Sequence, residues 1–250
     1  MKYYLIVALF AGTLHAYGQD TTYFDLYSKK VTSLALASYY EVVSRDLTDT
    51  NKVLVKSYYS TGTPRSEENY SNYGKKKREG KWKEWYTNGQ LQREIDYKND
   101  KMSGQLLTYW DNGKPKRKDR YENGKYVSGS CMTSAGTDTV HYDYIIYPHF
   151  PGGDKKMINH LSKEMKYPSK SKAAKIQGGV LVGFVVNEDG SISNATVTKS
   201  VAEDLDKEAI RVIQTMPNWI PGMQDGIPIR VQTQLTINFK LNDKPQPTKK

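Results

Sequence analysis

The amino-acid sequence predicts an α+β fold. We expect an N-terminal antiparallel sheet of β-hairpin repeats, followed by a small domain in which helices cover one face of a three-stranded antiparallel sheet. Three observations predict this arrangement. A turn segment bearing aromatic residues and glycine recurs in the first half of the chain, whereas helical and strand-like patterns alternate after Phe150. The 20 tyrosines and 4 tryptophans also favour strands, because a pleated sheet accommodates aromatic side chains well.

The N-terminus has the pattern of a secretory signal. Met1-Lys2 precedes a short apolar run at 5–10, and Ala16-Tyr17-Gly18 offers a cleavage site flanked by small residues. We therefore expect residues 1–18 to be a signal peptide that is cut before Gln19, so that the mature protein is exported. An uncleaved segment would instead be an inner-membrane anchor, although its apolar run is shorter than the roughly 20 residues that span a bilayer.

Composition argues against several function classes. The formal net charge is +10, but no helix-turn-helix, zinc-finger or RNA-reading motif accompanies it, so nucleic acid is not an expected partner. Cys131 is the single cysteine, and the histidines lack the spacing of metal ligands. No arrangement of nucleophile and base, paired carboxylates or phosphate-binding loop stands out. We expect a protein that is not an enzyme, with no catalytic residues, no cofactor and no metal.

Residues 19–129 are expected to form the hairpin-repeat domain. Gly62, Gly89 and Gly113 end three similar segments and lie 27 and 24 positions apart, a period typical of units that stack around a shared core. Asn88-Gly89, Asn112-Gly113 and Asn123-Gly124 predict type I′ hairpin turns. Between these turns apolar and polar residues alternate with the period of a strand, as they do in 91–98.

The same block resembles MORN-type repeats in their antitoxin-like variant, over about two and a half units. The segment that carries the resemblance best is GKWKEWYTNGQLQREIDYKNDK. Two further strands, at 38–43 and 53–59, are expected to start this sheet. The regularly spaced aromatic residues have two readings: they build the core of the sheet, or they form an exposed groove for a peptide or glycan.

A polar stretch, 130–146, is expected to link the two domains. Beyond it the pattern predicts a helix at 154–165, a strand at 180–186, a return strand at 192–198 and a second helix ending at Pro217. The closing segment is the clearest strand of the chain, because six alternate residues from Val231 to Leu241 are apolar or threonine. Residues 242–250 are polar and are expected to form a disordered tail.

The motif order from FPGGDKKM through Tyr167-Pro168, IQGGVLVGFVVNEDGSISNATV and LDKEAIRVIQTMPNWIPG to the closing strand is similar to the C-terminal domain of the TonB energy-transducer family. The resemblance covers residues 147–241. In that family the domain lies in the periplasm and holds a short peptide, the TonB box, of outer-membrane transporters. The resemblance places the candidate peptide contacts at Tyr167, Pro168, Val231, Gln232, Thr233, Gln234, Leu235, Thr236, Ile237, Asn238 and Phe239.

The function expected from this resemblance is a periplasmic binding or adaptor protein that engages peptide segments of outer-membrane transporters, such as TonB-box-like peptides, or of other envelope proteins by β-strand addition. Two alternatives stay open: an energy transducer with a retained N-terminal anchor, and an antitoxin-like inhibitor acting through the hairpin repeats. The chain lacks the family's proline-rich spacer, so coupling to an ExbB–ExbD motor is not expected. Strand exchange between two copies would give a homodimer.

Overall fold

The computed structural model describes residues 17–241, which fall into two compact units, the first ending at His141 and the second beginning at Tyr142. The expected signal peptide and tail rest on residues 1–16 and 242–250, which lie outside the described residues. Tyr17 and Gly18, the last two residues of the expected signal, begin the first strand. Within the described range, no helix has the length and apolar character needed to cross a bilayer.

The first unit is one antiparallel sheet of twelve strands within residues 17–141. Its elements are β1 (Tyr17–Phe24), β2 (Lys30–Val31), the 3₁₀ helix Leu34–Leu36, β3 (Tyr39–Asp46), β4 (Val53–Tyr59), β5 (Pro64–Asn72), β6 (Lys77–Arg78), β7 (Gly80–Trp85), β8 (Leu91–Lys98), β9 (Lys101–Tyr109), β10 (Pro115–Glu122), β11 (Lys125–Met132) and β12 (Asp138–Thr139). The strand order is β12-β11-β10-β9-β8-β7-β5-β4-β3-β1-β2, with β6 paired to β5. The two expected upstream strands are β3 and β4, which pair with each other.

The hairpin turns correct one sequence prediction. At Asn88-Gly89 only the glycine has a positive φ, of 83°, so the turn is not type I′. The N–H of Gly89 donates to the carbonyl of Tyr86, and the N–H of Tyr86 donates to the carbonyl of Gln90, both at 2.9 Å. This is a type I turn followed by a left-handed glycine. Asn88 stays right-handed because its Oδ1 accepts the N–H of Gln90, and Asn112-Gly113 forms the same turn.

The prediction of a type I′ turn is confirmed at Asn123-Gly124, where both residues have positive φ, of 50° and 83°. Asn99-Asp100, which no sequence signal singled out, has the same pair of positive φ values, of 51° and 66°. From Tyr86 to Gly136, glycine-closed type I turns and two-residue turns therefore alternate, the former at one end of the strands and the latter at the other.

Asparagine side chains join successive turns and reveal a copy of the repeat that the sequence analysis missed. Asn88 Nδ2 donates to the carbonyl of Asp111 at 3.0 Å, and Asn112 Nδ2 donates to the carbonyl of Ser134 at 3.2 Å. The turn at Ser134 closes on Gly136 with the same two backbone bonds as the others. The expected linker at 130–146 is therefore partly sheet, because β11 runs to Met132 and pairs there with β12.

The second unit contains three helices and two small sheets within residues 142–241. Its elements are β13 (Ile145–Ile146), α1 (Gly153–Glu164), α2 (Ser169–Ala173), β14 (Gly178–Val186), β15 (Ile192–Lys199), α3 (Glu203–Gln214), β16 (Gly222–Gln224), β17 (Ile227–Ile229) and β18 (Val231–Phe239). The main sheet has three antiparallel strands, as the sequence predicts, in the order β15-β14-β18, and β13-β16-β17 form a second antiparallel sheet that the sequence analysis did not anticipate.

One face of the main sheet carries the core of this unit. The even-numbered residues of β14, from Val180 to Val186, are at most 1% exposed and pack against α1 and α3. α3 contributes Leu205, Ala209 and Ile213, all fully buried, and the ring of Phe184 lies 5.4 Å from that of Trp219. Helices therefore cover one face of the sheet, while the opposite face carries exposed threonines and glutamines.

Candidate functional site

The candidate site is the outer edge of β18. This strand pairs with β14 in an unbroken register of nine residue pairs, from Gly178–Phe239 to Val186–Val231. It is the last strand in the order of its sheet, so no strand in the described part of the chain pairs with its other side. Backbone N–H and C=O groups of alternate residues point away from β14 and can accept another strand.

The opposite edge of the sheet, β15, is less suited to strand addition. Its register with β14 shifts twice, and Asn194 interrupts the strand with a φ of +53°. Such irregularities bend an edge and protect it from pairing with other chains. β18 carries none of the usual protective devices, since the segment Val231–Phe239 contains no charged residue, no proline and no register shift.

The structure divides the predicted β18 contacts into three groups by exposure. Ile237 and Phe239 are at most 1% exposed, so only their backbone is available to a partner. Val231, Thr233 and Leu235 are half-buried on the helix-covered side. Exposed side chains occupy the open face at the remaining positions, Gln232, Gln234, Thr236 and Asn238.

Tyr167 and Pro168 lie at one end of this edge. The ring of Tyr167 packs against that of Phe239, with 5.7 Å between ring centroids, and its hydroxyl donates to the carbonyl of Ile176. The structure therefore brings Tyr167 to the C-terminal end of β18 and not to Val231 at the other end. Because ring and hydroxyl are both engaged within the domain, Tyr167 supports the end of the strand.

Two carboxylates of α3 hold the segment that carries Tyr167. Although burial acts to raise it, the pKa of Glu208 is lowered, because Arg211 and the backbone N–H of Lys166 donate to its carboxylate. The pKa of Asp204 is also lowered, chiefly because the hydroxyl of Ser171 donates to it at 2.6 Å. These bonds fix the start and the end of the Tyr167-Pro168 turn on one helix.

A groove of about 540 Å³ opens beside the start of β18 and combines four of the predicted contact residues with residues that the sequence analysis did not single out. Its floor includes Gly183, in the middle of β14, and Tyr147 on its wall is 76% exposed. The other lining residues are Pro148, Thr198, Val231, Gln232, Thr233 and Gln234. A glycine inside an otherwise apolar strand is a sequence signal for such a close approach, and Gly183 is one.

Metal ligands and the single cysteine are the other chemical groups to consider. No group of three or more histidine, cysteine, aspartate or glutamate side chains among residues 17–241 could hold a metal ion. Cys131 is a free, buried thiol. The expectations of no metal, no cofactor and no enzymatic activity stay predictions.

The fold defines the class of protein: a hairpin-repeat sheet is followed in the chain by a TonB-type domain. Residues 163–241 match the family model described as the Gram-negative bacterial TonB protein C-terminal domain. Three segments, 53–72, 78–99 and 102–123, match the MORN repeat variant. Both resemblances seen in the sequence are thereby confirmed, and the chain carries a TonB C-terminal domain preceded by MORN repeats.

Among curated proteins, protein TonB of Haemophilus influenzae is 33% identical over 81 residues, which is 32% of this chain and 30% of that protein. Protein TonB of Helicobacter pylori is 29% identical over 77 residues, 30% of this chain and 27% of that protein. This chain thus spans less than a third of either relative. The NMR solution structure of the Helicobacter pylori TonB C-terminal domain covers 36% of this chain and 81% of its own, at 24% identity and a TM-score of 0.29.

Proposed function

We propose that this protein is a periplasmic binding adaptor whose C-terminal domain holds an extended peptide segment as an additional strand on β18. The observation that carries the proposal is the outer edge of β18. β14 pairs with one side of these nine residues, and no strand of the described chain pairs with the other side. The strand also has no charged residue, proline or bulge that would protect this edge. An edge of this kind is costly for a secreted protein unless it is used, because it invites unspecific pairing with other chains.

Backbone pairing would supply the affinity. The partner segment would run along β18 and satisfy the outward N–H and C=O groups that alternate along it. The buried side chains of Ile237 and Phe239 keep this part of the strand flat and fixed. They contribute to recognition only through their backbone, and the contact therefore tolerates variation in the partner's sequence.

Side-chain selectivity would come from the open face. A residue of the partner segment that projects to this side lies beside Gln232, Gln234 and Thr236, all exposed. The neighbouring groove, with Tyr147 on its wall and Gly183 on its floor, offers space for one larger side chain near the start of β18. Its glutamine and threonine groups favour a side chain that both packs and accepts or donates hydrogen bonds.

The partner class is proposed from the family. The matched family model and the relatives named protein TonB support TonB-box-like segments of outer-membrane transporters as ligands. The similarity to those relatives is confined to the C-terminal domain, and MORN repeats precede it here. The proposal accordingly concerns peptide docking by this domain.

The test is a titration of the ¹⁵N-labelled protein with a TonB-box peptide and with the same peptide N-methylated at alternate residues. We expect the unmodified peptide to shift amide signals along Val231–Phe239, and the N-methylated peptide to bind much more weakly although its side chains are the same. Failure to bind at millimolar peptide, or equal binding of both peptides, would contradict strand addition.

Two exposed threonines provide a matched pair of protein variants. Thr236→Lys places a charge on the candidate edge strand, whereas Thr196→Lys places the same charge on β15, at the other edge of the sheet. A lysine on an edge strand disfavours pairing. We therefore expect weaker peptide binding for Thr236→Lys and unchanged binding for Thr196→Lys.

A further inference from the structure

The loop that joins β1 to β3 exposes four large apolar side chains within eleven residues. Leu26 is 77% exposed, Tyr27 80%, Leu34 45% and Leu36 63%. The N–H of Ser38 donates to the carbonyl of Phe24 at 2.8 Å, which closes the loop at its base, beside the paired residues Phe24 and Tyr39 at one end of β1 and β3. The four exposed apolar residues are named the loop patch here.

Folding does not require the two most exposed members of the loop patch. Leu26 and Tyr27 form the tip of a turn in which Ser28 N–H donates to the carbonyl of Asp25, and Asp25 N–H to the carbonyl of Lys29. Five other turns of the chain have the same two backbone bonds. Their tips are Ser60-Thr61, Thr87-Asn88, Asp111-Asn112, Ser134-Ala135 and Glu188-Asp189, without a large apolar residue among them.

The turn also holds its apolar tip rigidly. The carboxylate of Asp25 accepts the N–H groups of Tyr27 and Lys29, each at 2.9 Å. A rigid turn presents its side chains to a partner with little loss of conformational entropy on binding. The chain has therefore built an ordered, outward-pointing apolar tip where a polar one folds equally well.

The residues beside the tip indicate which partner it fits. Lys29 and Lys30 lie two and three residues after Tyr27 and are exposed, and the whole chain carries a net charge of +10. Leucines that enter the boundary of the acyl chains, a tyrosine ring at the level of the headgroups and lysines on anionic headgroups are the components of an interfacial membrane contact. The tip residues Leu26 and Tyr27 are 77% and 80% exposed, so their side chains are available to a bilayer surface.

We infer that the loop patch, with Lys29 and Lys30, is a docking surface for an anionic lipid bilayer. It lies in the first unit and is independent of peptide binding at β18. Contact with lipid would hold the hairpin sheet at a membrane surface whether or not residues 1–18 are retained as an anchor.

The test uses the full chain with Cys131→Ser and an environment-sensitive fluorophore on a new cysteine. Thr32→Cys reports on the loop, and Thr50→Cys, exposed at the opposite end of β3, is the matched control. Vesicles of phosphatidylethanolamine and phosphatidylglycerol are compared with vesicles of phosphatidylcholine alone. We expect a blue shift of the label at position 32 with the anionic vesicles and an unchanged label at position 50.

Two sets of variants separate the apolar contribution to lipid binding from the electrostatic one. Leu26→Thr with Tyr27→Asn recreates the tip that folds at Thr87-Asn88, so the turn is kept while the apolar contact, and the blue shift, are lost. Lys29→Gln and Lys30→Gln should each weaken vesicle binding by about fivefold, from about 1 kcal/mol for each cation near an anionic surface.

Four outcomes would overturn the inference. The first three are no blue shift at position 32, equal shifts at positions 32 and 50, and a shift that survives the polar tip variant. A shift that appears without lipid and grows with protein concentration would assign the loop patch to a second copy of the chain and would equally overturn it.

Discussion

Replacing Gly190 with alanine should destabilise the second unit by about 3 kcal/mol, whereas the same change at Gly62 should cost the first unit about 1 kcal/mol. Both glycines close the same kind of turn, with φ of +81° and +87°. A left-handed alanine costs about 1 kcal/mol at either position. A new Cβ at Gly62 has nothing within 4 Å, but at Gly190 it would lie 2.0 Å from the carbonyl oxygen of Trp219.

Relieving that overlap requires the backbone of Trp219 to move. Its N–H donates to the carbonyl of Gly190 at 2.8 Å, and its ring lies in the core, 8% exposed. Weakening this bond and displacing the ring add about 2 kcal/mol to the backbone strain. Native-state hydrogen exchange followed by mass spectrometry measures the opening free energy of each unit through its own strands. Equal losses for the two variants would refute the packing of the β14–β15 turn against Trp219.

Three further predictions follow from single contacts. Phe184→Ala should lower the free energy of unfolding of the second unit, measured in urea, by about 3–5 kcal/mol. Val185→Ala, on the open face of the sheet, should lower it clearly less. Similar losses for the two variants would contradict the burial of only one face of the sheet. Asn88→Asp keeps the acceptor within its turn and loses the donor to the next, so it should destabilise the repeats less than Asn88→Ala does, as amide exchange of β8 and β9 can show. The hydroxyl and N–H of Thr48 lower the pKa of Asp46 to about 2. The stability this contributes is present above pH 4 and is lost as pH falls towards 2, and an NMR titration in which Asp46 has its ordinary pKa would contradict this.

The elements of the fold that follow from local pattern could be predicted from the sequence. The alternation from Val231 onwards predicts β18, and the apolar stripe from Leu205 to Ile213 predicts α3. When one face is covered, apolar residues recur every two residues in a strand and every 3.6 residues in a helix. The turn at Asn88-Gly89 could not be assigned correctly from the dipeptide alone. Its type depends on the register of β7 with β8 and on the bonds of the Asn88 side chain, to Gln90 within the turn and to Asp111 in the next turn, and the dipeptide alone specifies none of these.

The missed parts of the fold have weak local signals. The fourth repeat turn, at Ser134-Ala135, has an alanine where the other repeats have asparagine or threonine, so its sequence resembles a linker. β13, β16 and β17 are only two or three residues long, too short to show a period. β16 pairs with β17 next to it in the sequence and with β13 from a distant part of the chain. The fold of the whole domain brings these segments together.

The candidate site likewise has parts that the sequence could predict and parts that it could not. The strand Val231–Phe239 could be predicted from its alternation, but that β18 lies at the edge of its sheet follows only from the strand order. Tyr167 and Pro168 came from the resemblance, and the structure shows Tyr167 supporting the end of the strand by packing on Phe239. The groove beside Gly183 combines residues from three separate strands and the segment at Tyr147, so no linear motif could indicate it.

Hydrogen exchange of β18 in the presence of a saturating TonB-box peptide tests the central claim most directly. In the free protein the outward N–H groups of an edge strand face solvent, and addition of a strand protects alternate ones. We predict new protection at alternate residues between Val231 and Phe239, with β15 unchanged. Protection on β15, or exchange along β18 that is the same with and without bound peptide, would contradict the proposal that this edge is the docking site.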